Sequence, residues 1–228
     1  MCNRIGTVKM RSRTRLVVEA IEGITLLGAT LALWPVARRW FRNWGSTAAE
    51  RARAWPGDEL VDPAMLIHTR AITIAAPAQR VWTWVAQFGL DRAGFYSYEL
   101  FERLVGIPVT NVESIESEWQ ELSIRDEVRL HPKAGIRVSR VERNRFVCFG
   151  EQTSHGKTVT DPTLARSWSI YVDPVTEHSS RLVIRSRMGP PHSKLASIAT
   201  AAEQPIDFLM EQRMLRTIKR LAETQASR

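Results

Sequence analysis

The run Arg70-Ala-Ile-Thr-Ile-Ala-Ala-Pro77, followed by Val81-Trp-Thr-Trp-Val-Ala-Gln-Phe-Gly89, constrains this chain most, because a short alternating strand passes through a proline straight into an amphipathic helix. Ile72 and Ile74 fall on one side of the strand and Thr73 on the other, the period of two of a half-buried sheet. Pro77 stands in the first turn, where a helix tolerates proline, and Val81, Trp84, Val85 and Phe88 recur at helical spacing until Gly89 ends the run. Alone, the junction fits any α+β domain.

The rest of the chain narrows it. Gly94 to Gly106 reads as a second short helix with an apolar stripe of Tyr98, Phe101, Leu104 and Val105. Strand-like segments separated by turn residues then follow at Glu127–His131, Ile136–Glu142, Phe146–Gly150, Ala165–Val172 and Arg181–Arg187, as in an antiparallel meander. In the fourth of these, Trp168, Ile170 and Val172 share one face; in the fifth, Leu182, Ile184 and Ser186 oppose Arg181, Val183, Arg185 and Arg187. One face of the sheet is therefore expected to be apolar and the other solvated. From Pro205 to Ala222, the stripe Ile206, Leu209, Met210, Met214, Ile218 and Leu221 predicts a long helix lying on that apolar face.

Strand, two helices, a run of antiparallel strands and a long final helix is the element order of the START-like, helix-grip superfamily of polyketide cyclase/dehydrase and lipid-transport proteins (SRPBCC). The chain resembles it over roughly residues 66–224. The resemblance is carried by Ile72-Thr-Ile-Ala-Ala-Pro77 with Val81-Trp82, Asp91-Arg-Ala-Gly-Phe-Tyr-Ser-Tyr98, Trp119-Gln120, Val128-Arg-Leu-His-Pro132 and Glu211-Gln-Arg-Met214, and it looks like an uncharacterised bacterial branch. It implies an α+β fold in which a curved antiparallel sheet wraps around the long C-terminal helix. Because members include carriers, cyclases, dehydratases and regulatory domains, the fold does not select an activity.

Charge divides the chain. The net charge is +8 and the isoelectric point about 10.2, yet residues 1–55 hold ten Lys or Arg against three acids, leaving 22 bases and 21 acids for the remainder. The folded domain is close to neutral and offers no basic patch for phosphates, so nucleic acid is not an expected partner. The excess instead brackets Leu16–Ala37, apolar apart from Glu19 and Glu22, with Arg4, Lys9, Arg11, Arg13 and Arg15 before it and Arg38, Arg39 and Arg42 after it. A helix over 16–37 would reach about 33 Å, against a hydrocarbon core of about 30 Å. Trp34, Trp40 and Trp44 gather at one end like an interfacial belt, and the two glutamates, three apart near the other, would reach the head groups. A membrane-associated helix is the leading expectation. A helix packed on the domain and a signal peptide stay open, although no small-residue cleavage site follows. Five bases on each side leave the orientation unread. The expected organisation is a basic N-terminus with a membrane-associated helix over 1–44, a linker over 45–65 containing Gly45, Pro56, Gly57 and Pro63, and the helix-grip domain over 66–224.

Signatures of chemistry are sparse. The sequence contains no glycine-rich phosphate loop, no nucleophile elbow and no His-Glu-x-x-His pair, its five histidines are scattered, and Cys2 and Cys148 are too far apart to suggest a thiolate site. Neither a metal nor a cofactor is expected. The helix-grip resemblance implies a ligand space between the sheet and the last helix, concave and mostly apolar with a few orienting polar groups. Its expected walls are Trp84, Phe88, Phe149, Trp168, Ile170, Leu182, Ile184, Met210 and Met214. Tyr96, Tyr98, Arg129 and His131 are the principal polar candidates, with Glu99, Arg185 and Glu211 behind them. The leading functional expectation is a binding domain for a hydrophobic small molecule or lipid close to a membrane. A cyclase or dehydratase using cavity Tyr, His or Glu, and an interaction module with a closed cavity, remain open.

Overall fold

The strands form because their side chains alternate, and the sheet they build curls around two helices. The structure, a computed structural model, describes residues 13–104, 106–154, 157–158, 165–191 and 193–224. Arg4, Lys9, Arg11, Val105, Cys2, His155 and His192 lie outside the described residues. In chain order the elements are α1 (Arg13–Arg42), α2 (Ala48–Ala52), β1 (Leu66–Ile74), α3 (Ala78–Ala86), α4 (Glu99–Leu104), β2 (Glu127–His131), β3 (Ala134–Glu142), β4 (Phe146–Ser154), β5 (Lys157–Thr158), β6 (Arg166–Thr176), β7 (Ser179–Met188) and α5 (Lys194–Thr224). The antiparallel sheet runs β1-β7-β6-β4-β3-β2, with β5 paired to β4. Register shifts in β3 at Val138, between Arg129 and His131 in β2 and between Pro174 and Thr176 in β6 give it the bends that closing around a helix requires.

The paired register places Ile72, Ile74, Ile170, Val172, Leu182 and Ile184 together on the concave face, where α3 and α5 cover them. This is the helix grip, as the resemblance implied. Two elements differ from their sequence-based extents. The segment expected as a helix from Gly94 is helical only over Glu99–Leu104, because Gly94 and Tyr96 adopt left-handed backbone (φ +82° and +57°), which interrupts a right-handed helix. The last helix begins near 194 rather than 205. Its extra turns, Lys-Leu-Ala-Ser-Ile-Ala-Thr-Ala-Ala-Glu, are good helix formers capped by the Ser193 hydroxyl, which accepts from the Ala196 N–H at 3.1 Å; Leu195 and Ile198 are exposed there, so no buried stripe announces them.

The outer face of the sheet is not solvated as expected. Residues of the 45–65 stretch, expected as a linker, lie across it: Trp55 packs on Tyr171 beside Cys148, Ala71 and Val183, and the Pro56 carbonyl accepts from the Tyr171 hydroxyl at 2.6 Å. The arginines that made this face read as wet are held by the same stretch, Arg185 to Asp58 at 2.7 Å and Arg181 to Glu50 at 2.8 Å. Buried charges of this kind persist because each has its partner.

On its inner side α1 presents Glu19, Gly23, Thr30 and Phe41 to the domain, at helical spacing. Glu19 and Glu22 meet Arg213 of α5 at 3.3 and 3.4 Å instead of reaching outward, and Phe41 stacks on Trp34 and Phe208. The opposite side of the same helix exposes Val17, Val18, Ile21, Ile24, Leu31, Leu33, Val36 and Trp40, each by more than half. By length and composition Val17–Arg42 could cross a membrane, with a mean hydropathy of 1.5 in its most apolar window.

After α1 the chain turns along the edge of the sheet, where the Ala71 N–H donates to the Trp44 carbonyl at 3.0 Å and Arg181 Nη2 donates to the Gly45 carbonyl at 2.8 Å. Gly45 has a φ of +71°, and a Cβ there would stand 2.0 Å from the Ala71 carbonyl oxygen. Gly45→Ala should therefore destabilise the protein by about 2 kcal/mol or more, read as a lowered thermal midpoint. An unchanged midpoint would show that α1 and its turn are not docked on β1.

Candidate functional site

The interior of the grip has two halves. In one, Trp84, Ile170, Leu182 and Ile184 are at most 1% exposed and close the space completely. In the other, the sheet, α4 and α5 stand apart around a cavity of about 480 Å³, a size that suits a small ligand. Phe88, Phe95, Trp168, Met210 and Met214 form most of its wall, with Leu27 of α1 on one side and Leu130 of β2 on the other. Leu104 and Ile206 also line it while being 74% and 47% exposed, which marks the mouth. The polar lining consists of Ser97, Glu102, Asp207 and Glu211.

Of the residues expected from sequence, Phe88, Trp168, Met210 and Met214 stand in this wall. Trp84, Ile170, Leu182 and Ile184 lie in the closed half, and Phe149 stacks behind Trp168 at 5.6 Å between ring centres. Of the polar candidates Glu211 lines the cavity, and the four principal ones point elsewhere. Tyr96 is buried and its hydroxyl accepts from Gln87 Nε2 at 3.0 Å; Tyr98 packs under Arg213 near Glu22; Arg129 pairs with Asp91 on the surface; His131 Nδ1 accepts from the Lys133 N–H at 3.2 Å. Glu102 and Asp207 went unread because a charged residue in an amphipathic pattern is assigned to solvent. A partial signal exists for Asp207: it falls three residues before Met210 and seven before Met214, in line with the expected apolar stripe. Among the described residues no three His, Cys, Asp or Glu side chains gather as metal ligands would.

The wall opposite α5 is built by hydrogen bonds rather than by regular structure. Asn111 Oδ1 accepts from the N–H groups of Phe95 and Tyr96 at 2.9 and 2.6 Å, and Asn111 Nδ2 donates to the Ser97 carbonyl at 3.1 Å. Gly94 lets the chain pass this amide, since a Cβ there would stand 2.6 Å from Asn111 Oδ1. The loop so fixed sets Phe95 and Ser97 into the cavity, and the Ser97 hydroxyl donates to Glu102. On the sheet side, the fully buried Arg70 of β1 donates through Nη1 to Glu211 Oε2 at 2.5 Å and through Nε to the Phe41 carbonyl at 3.0 Å. Glu211 Oε1 accepts from Trp168 Nε1 at 3.0 Å.

Electrostatically the cavity holds its acids unusually. Burial pushes the Glu102 carboxyl up to about 7, with the Ser97 hydrogen bond opposing. Burial, then the neighbouring Glu211 charge, pushes Asp207 up to about 7 as well, with Arg70 opposing. Beside Arg70, His68 is driven the other way to about 3, first by burial and then by the Arg70 and Arg42 charges, so it is neutral. For Asp207 the folded value lies above that of the unfolded chain. Its contribution to stability is therefore complete below about pH 4 and is lost as the pH rises to about 7. Asp207→Asn should then be progressively more stable than the parent between pH 4 and 7, with a constant advantage above. A difference in thermal midpoint that does not vary with pH would contradict this placement.

No family model and no curated protein matches the sequence. Among solved structures the chain is similar to a Polyketide_cyc-like protein from Corynebacterium glutamicum (16% identity, 72% of this chain and 95% of that one, TM-score 0.41). It is similar also to the Zhui aromatase/cyclase from Streptomyces sp. R1128 (14% identity, 71% and 95%, TM-score 0.39) and to an HSP90 activator from Plasmodium falciparum (11% identity, 57% and 78%, TM-score 0.35). None of these likenesses assigns a chemistry to the cavity.

Proposed function

We propose that this chain binds a hydrophobic small molecule or lipid in the cavity between α5 and the sheet, at the surface of a membrane. The observation that carries the proposal is the cavity itself: about 480 Å³ walled by Phe88, Phe95, Trp168, Met210 and Met214, in a domain whose other half is filled. Apolar surface left open to water is unfavourable, and an apolar ligand of matching size removes it. The exposed side of α1 supports the membrane part, since Ile21, Ile24, Leu31 and Val36 form an apolar strip on the helix whose Leu27 borders the cavity. Arg38 and Arg39, exposed at the end of that strip, suit an anionic lipid surface. The exposed mouth residues Leu104 and Ile206 speak against an interaction module with a closed cavity.

One observation favours a second reading. Glu102 and Asp207, both titrating near neutrality within the cavity, are placed for the proton transfers of a cyclase or dehydratase. The tyrosines and His131 expected for that role do not line it.

A neutral apolar fluorescent reporter should bind the full-length protein with about micromolar affinity, roughly −8 kcal/mol. Met210→Trp, which fills the space from a partly exposed wall position, should weaken that binding by about tenfold or more. Equal binding by the variant would place the reporter elsewhere. For the membrane, full-length protein should sediment with vesicles containing phosphatidylserine, and the double replacement Ile24→Asp with Leu31→Asp should release it while leaving the thermal midpoint unchanged. Vesicle binding that survives the double replacement would remove α1 as the contact.

A further inference from the structure

Among the described residues the cavity is lined by acids and by no cation. Its carboxyl groups differ in what they already hold. Glu211 is engaged by Arg70, by Trp168 and, at 3.4 Å, by the Ser186 hydroxyl; Glu102 accepts from Ser97. Asp207, one turn before Glu211 on the same helix face, has no hydrogen-bond or ion-pair partner among the described residues. The charged groups that face it are Glu203 and Glu211 on α5, Arg70 on β1 and Arg166 on β6. Arg70 pairs with Glu211 and Arg166 with Glu203 at 2.9 Å, and both act on Asp207 only through their charge, without a hydrogen bond to it. A mostly apolar wall thus carries one carboxyl group without a hydrogen-bond donor among the described residues.

We propose that the ligand is a cationic amphiphile, an apolar body with a protonated amine, whose body lies among Phe88, Phe95, Trp168 and Met210 and whose ammonium group meets Asp207. The inference rests on the reading of the cavity as a binding site for an apolar molecule, and it fixes the chemistry of the head group. An ammonium brings three donors and an opposite charge in direct contact to a carboxyl group that has no donor among the described residues. A carboxylate head would instead bring a like charge beside three acids in a poorly solvated space, and a neutral alcohol would offer Asp207 one donor and no charge. A bound ammonium also favours the ionised form of Asp207, so the preference strengthens with pH through neutrality.

The test is competition against the neutral fluorescent reporter on the full-length protein, with decylammonium, decanol and decanoate as competitors of one chain length. At pH 8 decylammonium should displace the reporter at a concentration about tenfold or more below that of decanoate, with decanol between them, as expected for one partly buried ion pair. The ratio should shrink toward unity at pH 5.5 and in Asp207→Asn, each competitor being compared with decanol in the same variant. Asp207→Ser serves as a second variant. A reporter that binds while decanoate competes as well as decylammonium overturns the amine assignment alone, as does a ratio that survives in the Asp207 variants. A reporter that does not bind overturns the cavity reading and the amine assignment together.

Discussion

The buried pair between Arg70 and Glu211 governs how this molecule is assembled. A guanidinium with no exposure to water must find partners within the fold, and Arg70 of β1 finds them on two other elements: the Phe41 carbonyl near the end of α1 and Glu211 in the middle of α5. Glu211 passes the constraint to β6 through Trp168 and to β7 through Ser186. Rotation of α5 about its axis would break several of these bonds at once. With that rotation fixed, positions 207, 210 and 214, spaced three and four from one another, face the cavity, and Leu215 and Ile218 enter the closed half. Among the described residues, Nη2 of Arg70 and Nε2 of His68 have no hydrogen-bond partner.

The cavity follows from where the helices stop. Along α3, whose residues Val81, Trp84 and Val85 are buried, the grip is filled in the usual close-packed way. Beyond Gly89 the chain leaves helical geometry, bridges Gly89 to Gly94, and rises as a hydrogen-bonded loop to the six-residue helix α4. A loop held at its backbone by Asn111 covers the end of the sheet without supplying the volume that a longer helix would. Aromatic rings project from it toward α5, and the space between is left open.

The large features of this fold were legible because they depend on periodicity. Alternation around Ile72 and Ile74, over Ala165–Val172 and over Arg181–Arg187, and the 205–222 stripe, each mark an element of the right kind, with ends that the structure shifts by several residues. What was illegible depends on position along an element. Trp168 and Ile170 share one face of one strand, yet one lines the cavity and the other is sealed two residues deeper. No pattern of alternation distinguishes depth from direction. The 45–65 stretch has no period at all; it covers the sheet with the Trp55 ring, the Pro56 carbonyl and the Asp58 carboxylate, three groups each with an individual partner. Glu102 and Asp207 were hidden for the opposite reason, since charge implies solvent until a cavity is known.

The central claim is that the open half of the grip is occupied by a small hydrophobic molecule. Native mass spectrometry of the full-length protein, released gently from detergent and compared with the same sample after denaturation, tests it most directly. The account requires a stoichiometric non-covalent adduct that is lost on denaturation and diminished in Met210→Trp. A protein that appears only at its bare mass, and stays so after exposure to a membrane extract, would contradict it.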